Sequence, residues 1–318
     1  MEQDDADVTV LRRHDFECTE PVELSADLGS GRLDVRLSEA DIQPGDAAQV
    51  TVQVRPDPTG GPPWSAGIAG LLTWLGEQTG TAPSTELTEE AVRRTVIDFT
   101  DRRLTVRTPQ DGPLRGVPLV IEVTAPAGAS VLARSGSADV LVDGVADRLD
   151  ASTGAGQVRA QQCTGPIDVR TGSGDVRLGS VQGALRVRTG SGVVDVISID
   201  RAGAGASSDD RTDGAATVET GSGNVRLGAV VRDVTARSGR GDLVVVDASA
   251  GRLELTSGSG QLRVGIHAGV LAEVDISSGS GAARSDLPVG GPPADGAAGL
   301  RVRARTGSGD ALITSAPA

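Results

Sequence analysis

The octapeptide Thr171-Gly-Ser-Gly-Asp-Val-Arg-Leu178 decides how this chain is read, because it recurs. Variants of it open at Ser135, Thr153, Thr171, Thr189, Thr220, Ser238, Ser257, Ser278 and Thr306. Successive openings are 18, 18, 18, 31, 18, 19, 21 and 28 residues apart. A base period of 18 with insertions marks a tandem array of equivalent units. One further copy, Leu28-Gly-Ser-Gly-Arg-Leu-Asp-Val35, stands alone far upstream.

Each unit alternates apolar and polar residues on both sides of its glycine turn. After the turn, Val176 and Leu178 flank Arg177, Val225 and Leu227 flank Arg226, and Leu262 and Val264 flank Arg263. Before the turn, Ile167 and Val169 flank Asp168, and Leu185 and Val187 flank Arg186. A period of two with one apolar face is a strand half buried in a sheet. Frequent glycine and the absence of a 3.6 period exclude helices here. Eighteen residues cannot bury their own apolar face, so the units must stack. The expected fold class is all-β. Residues 135–318 form a single-chain β-solenoid (β-helix) of 18-residue coils, with loops at about 200–214 and 286–299.

Residues 1–134 read as capping strands or opening coils. Alternation predicts strands at Asp7–Leu11, Gly31–Leu37, Gln49–Arg55, within Thr95–Thr108, and at Leu119–Thr124. A solenoid end exposes unpaired backbone, so a small N-terminal strand cap is expected. A loop–helix insertion occupies about 56–94. Within it Trp64, Ile68, Leu71 and Leu75 fall at helical spacing, with Trp74 nearby. Thr88, followed by Glu89 and Glu90, reads as the N-cap of a short helix running to about Arg94. The C-terminal ALITSAPA is too short to be a cap, so that end is expected to be open and able to pair with another chain.

Composition agrees with a narrow core. The 318 residues include 44 Gly but only four aromatics, Phe16, Trp64, Trp74 and Phe99. That argues against base-stacking nucleic-acid modules and aromatic-lined sugar clefts. All 30 basic residues are Arg and the net charge is −13. Residues 1–134 carry 22 acidic and 12 basic groups, the remainder 21 and 18, so neither part offers a basic surface to nucleic acid. Two cysteines, Cys18 and Cys163, make no disulfide framework. The acidic N-terminus has no apolar signal core, and the apolar run Trp64–Gly76 is too short to span a bilayer. A cytoplasmic protein without an integral membrane segment is expected.

The tandem units, together with LVIEVTAPAGASVLARSGSADV at 119–140 and ELTEEAVRRTVIDFTDRRLTVRTP at 86–109, resemble the putative adhesin family of unknown function designated DUF4097. The resemblance covers nearly the whole chain except 60–80. It implies a bacterial β-solenoid with an adhesin-like label, and it brings no catalytic residues.

Polysaccharide-degrading β-helices need carboxylates clustered in a cleft. Here Asp168, Asp195 and Asp275 are scattered at outward positions. Calcium-binding repeat solenoids need an acidic residue at each turn. In this chain Asp175, Asp242 and Asp310 alternate with Gln157, Val193, Asn224, Gln261 and Ala282, so turn-stabilising hydrogen bonds are the better reading. Cys163 aligns with Val145, Val181, Ile199 and Val230 and reads as a core thiol. His14 and His267 are isolated in the sequence. The expectation is a non-enzymatic structural or interaction protein with no catalytic residue, cofactor or metal. It would bind another protein, or itself, through the open solenoid end. The alternative is an envelope-associated adhesion module that contacts its partner through Trp64, Ile68, Leu71, Trp74 and Leu75. Membrane-surface contact by that segment is disfavoured by its lack of basic residues. A carbohydrate-active enzyme is the weakest reading.

Overall fold

The computed structural model describes residues 11–38, 48–57, 85–200, 215–287 and 299–316. Among them are 24 strands and one α-helix. The chain divides into two compact units, residues 1–143 and 144–318. The Trp-bearing segment and most of both anticipated loops lie outside the described residues.

The first unit contains β1 (Arg12–Cys18), β2 (Glu23–Leu28), β3 (Gly31–Ser38), β4 (Ala48–Pro56), α1 (Thr85–Arg94), β5 (Val96–Thr100), β6 (Arg103–Arg107), β7 (Leu119–Pro126) and β8 (Ala129–Ser135). One ladder runs β1–β4–β7–β3, with its first two pairings antiparallel and the last parallel. The other runs β5–β6–β2–β8, antiparallel and then twice parallel. The antiparallel strands form the expected cap. Half-buried Phe16 stacks on half-buried Phe99 between these strands, at 5.1 Å between centroids.

This unit adds one strand to the sequence expectations and corrects two of them. Strand β1 at Arg12–Cys18 was not anticipated, with Leu11 exposed before it, and the strand expected at Asp7–Leu11 lies almost wholly outside the described residues. Residues 7–10 are not among those described. Alternation in β1 was disguised, because Arg12 and His14 share the half-buried side with Phe16. The helix starts at Thr85 rather than after Thr88, since Glu86 already supplies a first-turn acid. Ala91 and Val92 bury its inner side against β4 and the 3₁₀ turn at Gly112–Gly116. The upstream copy at 28–35 is not isolated in space. Strand β2 lies between β6 and β8, and the N–H groups of Gly136 and Ser137 donate to the carbonyls of Leu28 and Gly29, both at 3.1 Å.

Strand β9 (Asp139–Thr153) crosses the division between units. In the second unit each coil contributes two strands, and like strands stack in parallel. The first ladder starts at Leu149–Thr153 of β9. It continues through β11 (Ile167–Thr171), β13 (Leu185–Thr189), β15 (Ala216–Thr220), β17 (Val234–Ser238) and β19 (Gly251–Ser257). The second contains β10 (Val158–Cys163), β12 (Val176–Val181), β14 (Val194–Ile199), β16 (Val225–Val230), β18 (Leu243–Ala248) and β20 (Leu262–Ile266). The inward residues read from the sequence are buried throughout these ladders. Each large aliphatic among them contributes roughly 1.5–3 kcal/mol. One position shifts: Ala146 is buried where Val145 was expected, next to a left-handed Gly144 at φ 94°.

Chain order breaks at the end of this stack. β21 (Ala272–Ser278) and β22 (Ala283–Ser285) form the terminal coil. β23 (Leu300–Thr306) and β24 (Ala311–Ser315) return to lie between them and β19 and β20. The C-terminal strands are therefore interior, and the open end expected at ALITSAPA belongs to β21 and β22.

Glycine at the turns answers to stacking more than to dihedral angle. A Cβ on Gly174 would meet the Gly156 carbonyl oxygen at 1.8 Å, and one on Gly192 would meet that of Gly174 at 1.9 Å. Neither residue has the positive φ that favours glycine. The rungs approach too closely there for any side chain. Gly174→Ala is therefore expected to cost more than about 3 kcal/mol in urea unfolding. Gly116→Ala, whose Cβ has nothing within 4 Å, should stay within about 0.5 kcal/mol.

Candidate functional site

The polar residues of each turn are consumed in holding coils together. The N–H of Gly156, Gly174, Gly192 and Gly223 donates to the hydroxyl three residues earlier, on Thr153, Thr171, Thr189 and Thr220, at 2.9–3.0 Å. Several hydroxyls also donate across a rung. Ser257 Oγ reaches the Gly241 carbonyl at 2.9 Å and Thr306 Oγ1 that of Gly260 at 2.8 Å. These side chains are buried, so they present no hydroxyl surface to a ligand.

The turn Asp and Asn residues clamp the next coil. Val193 N–H donates to Asp175 Oδ1 at 2.9 Å, Asp242 N–H to Asn224 Oδ1 at 2.9 Å, and Gln261 N–H to Asp242 Oδ1 at 2.8 Å. Ala282 N–H donates to Asp310 Oδ1 at 2.9 Å, across the out-of-order rung. Asparagine does the same work as aspartate, which a calcium ligand set would not tolerate equally. Among the described residues no three His, Cys, Asp or Glu side chains gather as a metal site. His267 Nδ1 meets Asp247 at 3.0 Å as an exposed pair.

A shallow groove of about 450 Å³ follows the Thr corners beside Arg170 and Arg188. Its floor hydroxyls are already engaged, and its charges are paired: Arg170 with Asp168 at 2.7 Å and Arg188 with Glu219 at 2.9 Å. Asp275 is paired likewise, with Arg303 at 3.1 Å and Arg305 at 3.4 Å.

Cys163 lies in register with Val181, followed by Ile199 and Val230, as its alignment predicted. Burial pushes its thiol up to about 11. Sγ donates to the carbonyls of Gly165 and Asp147 at 3.5 and 3.6 Å. Burial also raises the Cys18 thiol. Arg232 was not anticipated. Its guanidinium reaches the carbonyls of Gln182 and Gly183, two rungs away. The intervening coil passes Asp200 into residues outside the described set. The one sequence signal for this was the 31-residue interval between Thr189 and Thr220.

Each unit also ends in strands with a single neighbour among the described residues. In the first unit, among the described residues, β1 pairs only with β4 and β5 only with β6, both antiparallel, and the half-buried rings of Phe16 and Phe99 stack between them. In the second unit, among the described residues, β21 pairs only with β23 and β22 only with β24. The inward residues Ala272, Val274 and Ile276 are half-buried there, whereas their counterparts Leu300, Val302 and Ala304 are fully buried. The anticipated contact residues Trp64, Ile68, Leu71, Trp74 and Leu75 lie outside the described residues.

No family model matches this chain, and no curated protein matches it. Several solved structures align along nearly their full length. A putative adhesin from Bacteroides fragilis covers 96% of this chain and 96% of its own, at 12% identity and a TM-score of 0.43. A putative adhesin from Parabacteroides distasonis covers 95% and 96%, at 9% identity and a TM-score of 0.32. A putative cell adhesion protein from Clostridium sporogenes covers 96% and 99%, at 10% identity and a TM-score of 0.22.

The raised Cys163 thiol has a pH signature. Unfolded chains lose this proton near its ordinary value of 9.0, folded ones near 11. Folded chains therefore hold more protons between those values, and stability is expected to fall as pH rises from 9 to 11, with no contribution below that window. Denaturation midpoints across this range check it, and Cys163→Ala should flatten the slope. Both thiols should resist alkylation at about pH 8 until the chain is unfolded.

Proposed function

We propose that the protein is a non-enzymatic, adhesin-like interaction module whose uncapped terminal coil pairs with a second copy of the chain. The observation that carries this reading is the terminal coil of the second unit. There β21 and β22 each have a neighbour on one side among the described residues, in a parallel register that a further coil can continue, whereas the single-neighbour strands β1 and β5 of the first unit are antiparallel and bridged by stacked rings. An unpaired strand edge templates addition of another strand. A second copy would supply both hydrogen-bond partners for that edge and cover for Val274 and Ile276. Supporting the non-enzymatic half of the reading, Asp168 and Asp275 are held in arginine pairs on the first ladder, and Asp195 stands on the other ladder.

Sedimentation velocity over a concentration series tests this. The wild-type chain is expected to associate. Val274→Lys combined with Ile276→Lys should leave a folded monomer with unchanged circular dichroism, because lysine at an edge blocks pairing. A wild type that stays monomeric at high concentration, or a double variant that associates as the wild type does, contradicts the reading.

A further inference from the structure

The outward face of the second ladder carries a two-rung pattern. Arg177, Arg226, Arg263 and Arg284 occupy every second rung, with Asp195, Val244 and Leu312 on the rungs between. This alternation depends on the out-of-order coil: β24 places Leu312 between Arg263 and Arg284, which chain order would have made neighbours. At a strand spacing of about 4.8 Å, the guanidinium groups recur roughly every 9.6 Å.

The residues two places further along each strand alternate in step. Gly179, Gly228 and Gly265 accompany Arg177, Arg226 and Arg263. Ile197, Val246 and Thr314 accompany the rungs without arginine. The guanidinium groups of Arg177, Arg226 and Arg263 therefore stand beside bare backbone, between ridges formed by the intervening side chains, whereas Asp286 accompanies Arg284 and Gln161 accompanies Arg159. Ile197 is 70% exposed, high for a large aliphatic. Arg177 is paired with Asp175 at 3.0 Å, but Arg226, Arg263 and Arg284 have no ion pair or hydrogen bond among the described residues, whereas the arginines of the other ladder are largely neutralised by Glu219, Glu273 and Asp275. With Arg159 one rung before Arg177, the column holds five arginines and one aspartate in a chain of net charge −13.

We propose that this face binds an extended acidic polysaccharide in which uronic and neutral sugars alternate. A disaccharide of such a chain has a length comparable to two rungs. Successive carboxylates meet the unpaired guanidinium groups of Arg226 and Arg263 over a glycine floor, as charge-assisted pairing requires, and Arg284 extends the row. The apolar face of each neutral sugar rests on Ile197 or Val246. No aromatic platform is needed, which suits a chain almost without aromatics. A single file of charge along the stack fits a linear polymer better than a planar lipid surface. Such polymers are met outside the cytoplasm, and two buried, unpaired thiols do not demand a reducing compartment.

The test uses the full chain and calorimetric titration with hyaluronate oligosaccharides long enough to span Arg177 to Arg284. Dextran and a single-stranded oligodeoxynucleotide serve as comparisons. Saturable, salt-sensitive binding of hyaluronate and none of dextran is expected. Arg226→Ala with Arg263→Ala should weaken it about tenfold, while Arg170→Ala with Arg188→Ala on the other ladder leaves it within about twofold. All four side chains point outward, and circular dichroism checks that both variants fold. Absence of hyaluronate binding, equal loss in both double variants, or tighter binding of the oligonucleotide would overturn the proposal. None of these outcomes depends on whether the terminal coil self-associates.

Discussion

The structure depends on how closely successive rungs approach at the glycine corners. Carbonyl oxygens of one rung sit where a Cβ of the next would stand, 1.8–2.0 Å away at Gly174, Gly192, Gly223 and Gly260. That approach keeps the turns in register, so each hydroxyl bonds its own turn and each Asp or Asn side chain reaches the backbone of its neighbour. Register at the corners then aligns Val on Val and Leu on Leu within. The cross-section that results is narrow, which accounts for a core of small aliphatics. Two aromatic rings appear where stacking ends, at the cap of the first unit.

The same corners permit coils to be stacked out of chain order. Strands β2 and β3 are inserted among coils that follow them in sequence by about 75 residues or more, and β23 and β24 slip beneath a coil that precedes them. A corner recognises any equivalent corner, whatever its place in the chain. Because the solitary Leu28-Gly-Ser-Gly signature has the right corner, it serves as a full rung. Interior placement of β23 and β24 has a surface consequence too. It sets the alternation of charged and uncharged rungs on the second ladder and leaves β21 and β22 as the terminal coil.

Inward positions were legible because one residue type in two is aliphatic and the glycine turns mark the phase. The strands from Gly31, Leu119 and the repeats therefore fall where alternation places them. β1 was hidden by Arg12 and His14 on its inner side, and the helix start by a second run of acids behind the first. Coil order was not legible, since equivalent corners carry no address. Neither was Arg232, whose carbonyl partners lie two rungs away. The turn hydrogen bonds and the core position of Cys163 were legible by residue type: Asn224 performs the same clamp as Asp175, and Cys163 shares a column with Val181. The Trp64–Leu75 segment, singled out in the sequence as a contact, falls outside the described residues.

Disulfide trapping tests the stacking most directly. Positions 263 and 312 are register partners, and 284 lies beyond 312. Parallel neighbours about 4.8 Å apart satisfy disulfide geometry, whereas two rungs, roughly 9.6 Å, do not. With Cys18 and Cys163 replaced, Arg263→Cys with Leu312→Cys should oxidise readily to a single intramolecular disulfide, and Arg263→Cys with Arg284→Cys should not. The reverse result, a bond between 263 and 284 alone, would mean that the coils stack in chain order and would contradict the account.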